Sequence, residues 1–225
     1  GVVRSMVHPV NHTSSGEVLL EVRDLSVTRS GSLILENIDL TVKRGEFVGL
    51  VGPNGGGKST LLLTILGVLK ANKGTIEIYG QKPMSRKILG RIGWVSQAAA
   101  NLPNHVRITV REIVRLGTLN LQNMVMFRGN KRRQKVQQAI EMVGLQDVAN
   151  VDVSRLSGGQ RQRAVIARAL ASDAELIFLD EPLVGIDRSS RNSLLKLLDN
   201  LCHDENKTIV MISHDITAIR QTAHR

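Results

Sequence analysis

The run Gly52-Pro53-Asn54-Gly55-Gly56-Gly57-Lys58-Ser59 sets glycines, one lysine and one hydroxyl at the spacing G-x-x-x-x-G-K-[ST]. Glycine lets successive backbone N–H groups turn inward around phosphate oxygens, where a Cβ would obstruct them. The helix that follows would add its positive N-terminal end. Lys58 then reaches the outer phosphates of a nucleotide, Ser59 can ligate Mg²⁺, and Thr60 adds a further hydroxyl contact. Farther on, Leu176-Ile177-Phe178-Leu179 delivers two carboxylates, Asp180 and Glu181. Asp180 can hold Mg²⁺ through water, and Glu181 can orient or deprotonate an attacking water. An acid pair at a strand end is equally a structural cap when it stands alone; a phosphate loop upstream favours catalysis. In Leu156-Ser157-Gly158-Gly159-Gln160 a serine and two glycines open another helix, which makes a second anion site or a plain Ser157 N-cap. Two such loops in one chain serve either two nucleotides or one nucleotide shared between two chains.

These groups need rigid elements to hold them. Phe47-Val48-Gly49-Leu50-Val51 is continuously apolar and runs into the glycine turn, as a strand buried on both faces does. Ile92–Val95, Leu176–Leu179 and Ile209–Ile212 are short buried strands of the same kind. Helical patterns separate them at Lys58–Leu66, Thr109–Leu116, Lys131–Val143, Gly159–Ala171, Ser189–Leu201 and Ile216–Arg220. Thr109 and Glu112 have capping-box spacing, and Gly144 is a C-terminal stop after Val143. Val18–Val22, then Ile38, Leu40 and Val42, then Ile76 and Ile78 alternate with polar residues, as in half-exposed antiparallel strands. The fold class is therefore α/β with a mainly parallel sheet, preceded by an antiparallel β unit. Residues 1–16 read as a flexible lead-in, and residues 17–225 as one domain.

Composition bounds the partners. The chain has 225 residues, a net charge of +10 and a single cysteine, Cys202, so an internal disulfide framework and a Cys-rich zinc module are excluded. Of the six histidines only His8 and His12 stand four apart, with Pro9 between them and no helical pattern, and none belongs to a cysteine–histidine cluster, which speaks for solvated or structural roles. No apolar run approaches the roughly 18 residues of a membrane span, so the expectation is a soluble, intracellular protein. The charge is concentrated: residues 86–135 carry 11 Lys or Arg and one acid, Glu112. Such a patch fits nucleic acid, an acidic membrane surface or a solvated face, and aromatics at 2% argue against a stacking platform for single strands.

Phosphate loop, Leu-Ser-Gly-Gly-Gln and Asp-Glu, in that order from about Val18 to Arg220, resemble the ATP-binding cassette (ABC) ATPases. The resemblance implies a P-loop NTPase core with a helical subdomain over about 98–165, and further assignments follow from it. Gln97 looks like the Q-loop glutamine that senses Mg²⁺ and the γ-phosphate. Asp187 in Val184-Gly185-Ile186-Asp187 looks like the D-loop aspartate that bridges subunits. His214 looks like the switch histidine on the γ-phosphate, a position that without the family reads as an ordinary strand-end histidine. The family implies two cassettes paired head to tail, each ATP lying between one chain's phosphate loop and the other's Ser157–Gln160. It departs from the pattern in two places. Arg29 stands where relatives place an aromatic residue on adenine, and its guanidinium plane can stack there instead. The chain also stops soon after the switch strand, which implies missing C-terminal sequence.

Val184-Gly185-Ile186-Asp187 and the segment after Gln97, with Pro103 and Ile108-Thr109-Val110, are similar to the ATPase subunits of zinc or manganese importers. That similarity implies an ATP- and Mg²⁺-dependent subunit on the inner face of the cell membrane. Its partners would be a second cassette, membrane permease subunits and, through them, a solute-binding protein, with no nucleic acid. The alternatives are a cassette ATPase acting on nucleic acid or ribosomes, an importer of another cargo, and a nucleotide-binding module without turnover. In this layout the 86–135 window faces an anionic bilayer or an acidic permease surface, or Arg128, Lys131, Arg132, Arg133 and Lys135 simply form a solvated helix entry.

Overall fold

The computed structural model describes residues 7–9, 16–52, 57–103, 105–119 and 129–215. The strands are β1 (Val7–Pro9), β2 (Val18–Arg29), β3 (Ser32–Lys43), β4 (Phe47–Val51), β5 (Lys73–Ile78), β6 (Ile92–Val95), β7 (Leu176–Asp180) and β8 (Thr208–Ser213). The helices are α1 (Gly57–Ile65), α2 (Val110–Leu116), α3 (Gly129–Met142), α4 (Gly158–Ala171) and α5 (Arg188–Asp204).

Every residue of β4 and β8 is buried, and so are the first four of β7, because these strands are covered on both faces. They lie in a five-stranded sheet ordered β1-β4-β8-β7-β6, parallel except for β1, which runs antiparallel to β4. Alternation across the pleat divides the core. Phe47, Ile177, Leu179, Ile209 and Met211 face the helical side with α4 and α5. Val48, Leu50, Leu176, Phe178, Val210 and Ile212 face α1 and the antiparallel sheet, ordered β3-β2-β5. In β3 the burial alternates, with Ile38, Leu40 and Val42 inside and Asp39 and Thr41 outside, as the period of two predicts.

Three local results differ from the sequence reading or extend it. The alternation in β2 breaks after Val22, where register shifts and Asp24 at φ +50° twist the strand; Asp39 Oδ1 accepts from the Asp24 N–H at 2.9 Å. Residues 7–9, placed in the flexible lead-in, form β1 against β4 instead. Three residues carry no periodicity, and a sheet edge recruits them through the backbone alone. The helix expected at Ile216–Arg220 lies outside the described residues.

On the helical side, α2 starts with the expected box: Thr109 Oγ1 accepts from Glu112 N at 3.2 Å, and Glu112 Oε1 accepts from Thr109 N at 3.1 Å. Gly144, at φ +71°, ends the α3 turn, with Leu145 N–H donating to Ile140 O at 3.1 Å. Val110, Ile113 and Val114 of α2, and Val136, Ala139 and Ile140 of α3, join the buried cluster with α4. Gly117 sits so close to α4 that a Cβ there would fall 1.9 Å from the Arg168 carbonyl oxygen.

Candidate nucleotide and carboxylate site

The parallel register brings three strand ends to one edge of the sheet. β8 lies between β4 and β7, with Val51 opposite Ser213 and Asp180 opposite Ile212. Ligands of open α/β sheets bind beyond such carboxyl ends. β4 leads through Gly52 to α1, whose second residue is Lys58; Pro53, Asn54, Gly55 and Gly56 lie outside the described residues.

Lys58 Nζ donates to Glu181 Oε1 at 3.0 Å, with side chains only 8% and 9% exposed. His214 Nδ1 lies 3.0 Å from the other carboxylate oxygen, Oε2. Glu181 is thus clamped between a cation from α1 and an imidazole from the end of β8. Its backbone is left-handed, at φ +50°, while its N–H donates to Ile212 O at 2.8 Å. That conformation costs roughly 1–2 kcal/mol for a residue other than glycine. It turns the chain sharply as β7 ends, and strain of this kind collects at functional sites. Beside it, the Asp180 carboxyl is held above the usual range, first by burial and then by the Glu181 charge, against the opposing pull of Lys58.

The donor set fits a magnesium-bound phosphate group. Thr60 Oγ1, in the first turn of α1, is buried with no hydrogen-bond partner, and the Lys58 ammonium stands one residue from the exposed Ser59. Among the described residues no three His, Cys, Asp or Glu side chains group to hold a metal alone. A site offering one or two carboxylates and a hydroxyl suits Mg²⁺, which completes its shell with substrate oxygens and water.

The remaining expected residues are distributed as follows. Ser157 caps α4: its Oγ accepts from Gln160 N at 3.2 Å, and Gln160 Oε1 accepts from Ser157 N at 3.0 Å. Asp187 caps α5, its Oδ1 accepting from Ser190 N at 2.7 Å, and these backbone and side-chain bonds hold its carboxyl below the usual range. The two caps form one surface. A Cβ on Gly159 would lie 3.0 Å from Ser190 Cβ, and one on Gly158 would lie 3.2 Å from Gly185 O. No described hydrogen bond joins these caps to Lys58, Glu181 or His214. Gln97 is exposed just beyond β6, and Arg29 is exposed at the end of β2, where it pairs with Ser32. Sequence reasoning missed the Lys58–Glu181 contact, since 123 positions separate the partners. It also missed Arg191, which donates to Ile186 O at 3.1 Å and pairs with Asp215 at 3.4 Å, joining the Asp187 turn to the residue after His214.

Comparison with known proteins places the chain. Residues 35–184 match the model of the ABC transporter family. The zinc uptake system ATP-binding protein ZurA of Listeria monocytogenes is 38% identical over 201 residues, covering 89% of this chain and 78% of that protein. The manganese transport system ATP-binding protein MntB of Listeria innocua is 40% identical over 173 residues, 76% of this chain and 70% of that protein. Among solved structures, cbiO1 from Clostridium perfringens, part of the ABC transporter complex cbiONQ, superimposes with a TM-score of 0.81 at 29% identity, covering 91% of this chain and 82% of that one. A family match across both the phosphate loop and the Asp180–Glu181 pair, joined to these relatives, means that the chain belongs to the ABC transporter family as one of its ATPase cassettes.

Proposed function

We propose that this chain is the ATP-hydrolysing subunit of a membrane importer of divalent metal ions of the zinc or manganese class. The observation that carries the ATPase reading is Glu181, clamped by Lys58 and His214 at the ends of adjacent parallel strands. The cargo reading rests on the zinc and manganese systems to which the relatives belong.

Phosphate oxygens entering beside α1 compete with Glu181 for the Lys58 ammonium. Lys58 then holds the β- and γ-phosphates, together with the backbone of residues 52–57 and the Thr60 hydroxyl. Glu181, freed on one oxygen, takes a proton from water as that water bonds to the γ-phosphorus and the bond to the bridging oxygen breaks. His214 turns from Glu181 to the γ-phosphate and stabilises its developing charge. Ser59, Gln97 and, through water, Asp180 would hold Mg²⁺, which would supply charge neutralisation on the phosphates. Ser157, Gly158, Gly159, Gln160 and Asp187, gathered on a separate surface, act on the nucleotide of a second cassette, and Arg29 stacks on adenine. A membrane permease receives the resulting motion, with a solute-binding protein acting through it. Trp94 and Leu116, each 47% exposed, line a groove of about 380 Å³ between β6, α2 and α4 that offers both side chains, beside Arg168, to a segment of the permease. Among the described residues no helix is long and apolar enough to cross a membrane.

The test is Glu181→Gln. ATP turnover should fall about 10³-fold while nucleotide stays bound and an ATP-dependent dimer accumulates, read by phosphate release and by size-exclusion chromatography. Unchanged turnover would remove Glu181 from the chemistry. Uptake of radiolabelled zinc or manganese should fall when the chain is deleted from its host; loss of sugar or peptide uptake instead would reject the cargo assignment.

A further inference from the structure

We propose that the cavity between α2 and α3 is a binding site for a phosphate-bearing anion, separate from the nucleotide site and independent of the reading given for it. The cavity, of about 450 Å³, is lined by Arg111 and Arg115 of α2 and by Arg132, Arg133, Gln134 and Gln137 of α3. Four arginine side chains therefore line one hollow, and its described lining includes no carboxylate.

Some arginines elsewhere among the described residues have acidic partners. Arg44 pairs with Glu17 and Glu175, Arg91 with Glu175, and Arg191 with Asp215. Around this cavity, Arg111 meets only neutral acceptors among the described residues, Gln137 Oε1 at 2.9 Å and Asn150 Oδ1 at 3.3 Å. The acids borne by the two helices are turned to other work. Glu112 closes the α2 cap, and Glu141 accepts from Gln137 Nε2 at 3.0 Å. Lys135 of α3 pairs with Asp173, outside the lining.

Arg132 supplies a second and independent observation. Its Nε is buried and has no hydrogen-bond partner. A buried guanidinium N–H without an acceptor is costly, and an anion that draws the Arg132 side chain toward it supplies one. A planar fork of donors with no counter-charge matches the tetrahedral oxygens of a phosphate group better than a lone carboxylate. The aliphatic stems of the four arginines leave room for the organic part of a phosphate ester. Two sources share this chemistry: the phosphodiester headgroup of an anionic lipid, and a soluble phosphate compound.

The experiment uses the whole chain and two probes. Flotation with phosphatidylglycerol vesicles, against phosphatidylcholine vesicles, reads the lipid source. Calorimetry with inorganic pyrophosphate reads the soluble source, counted as molecules bound per chain. Arg115→Gln with Arg133→Gln alters exposed residues and preserves the fold. Arg86→Gln with Lys87→Gln removes the same charge outside the cavity. The first pair should weaken phosphatidylglycerol binding about tenfold or more, or lower the pyrophosphate count by one, and the second pair should do neither. Loss on the vesicles alone assigns the lipid headgroup; loss with pyrophosphate assigns a soluble phosphate. The proposal fails if neither probe is affected by the first pair, or if the second pair weakens binding equally, since charge anywhere on the face would then suffice.

Discussion

Two charged regions of this molecule follow opposite rules. At the strand ends, Lys58, Glu181 and His214 are drawn together with hydrogen-bonding distances of 3.0 Å, and the Lys58–Glu181 pair is almost wholly buried. On the α2–α3 face four arginines share a cavity with no acid in its described lining. Taking charge out of water is tolerated in the first region because each group has a partner of opposite character. In the second the charge stays near solvent, and repulsion is tolerated because a surface dielectric weakens it. The difference separates groups that neutralise one another from groups with no acidic partner in the described lining of their cavity.

The comparison breaks most severely if the buried pair is not a pair. Lys58→Ala leaves a buried carboxylate facing only His214, and should destabilise the chain by about 3–5 kcal/mol. Adding Glu181→Ala should restore much of that loss, because no buried charge then remains. Urea denaturation of both single variants and the double closes the cycle. Additive losses would mean that the two side chains are not coupled. Nucleotide affinity should fall in every variant lacking Lys58, whether or not stability recovers. By contrast, removing Arg115 and Arg133 should leave stability within about 0.5 kcal/mol, since no partner is stranded.

A second variant tests how the basic face is anchored. A Cβ at Gly117 would overlap the Arg168 carbonyl oxygen, a backbone atom that cannot rotate away. Gly117→Ala should therefore cost about 1–3 kcal/mol by pushing α2 off α4. Gly31, with nothing within 4 Å of an added Cβ, is the control for backbone freedom, though its φ of +78° carries its own penalty. Thermal denaturation that leaves Gly117→Ala at the parent Tm would show that α2 does not rest on α4. The loss should also lower anion binding at the α2–α3 cavity while leaving Lys58 and Glu181 in place.

Much of the first region was legible in the sequence and little of the second. Phe47–Val51, Leu176–Leu179 and Ile209–Ile212 announce themselves because a strand covered on both faces has no room for polar side chains. The Thr109–Glu112 box and the Gly144 stop are equally plain, since local hydrogen bonds impose residue type at fixed spacing. The Lys58–Glu181 contact and the left-handed Glu181 are tertiary results: strand order creates the one and the exit from β7 the other. The net charge of residues 86–135 was visible as a count. A count does not reveal that Arg111, Arg115, Arg132 and Arg133 share one cavity while Lys135 is spoken for by Asp173.

The smallest expected effect concerns Asp180, which sits between the two rules: charged, half-buried and beside a like charge. Its carboxyl is held above the ordinary 3.8, mainly by burial and next by Glu181. A carboxyl raised on folding is bound to its proton more tightly in the folded chain than in the unfolded one. Its contribution to stability is fully present below the unfolded value and is lost as pH rises through the folded value. Asp180→Asn cannot ionise, so it should match the parent at the acid end and exceed it near neutrality, by less than about 1 kcal/mol, or about 1–3 °C in Tm. Melting curves in chelator at pH 3 and pH 7 read the difference, which should widen with pH; a constant offset would mean that burial is not what raises the carboxyl. Adding Mg²⁺ with nucleotide should then favour the parent alone, because the cation needs the charge that folding penalises. A site that folds slightly worse with its carboxylate than without it is retained for what that carboxylate binds.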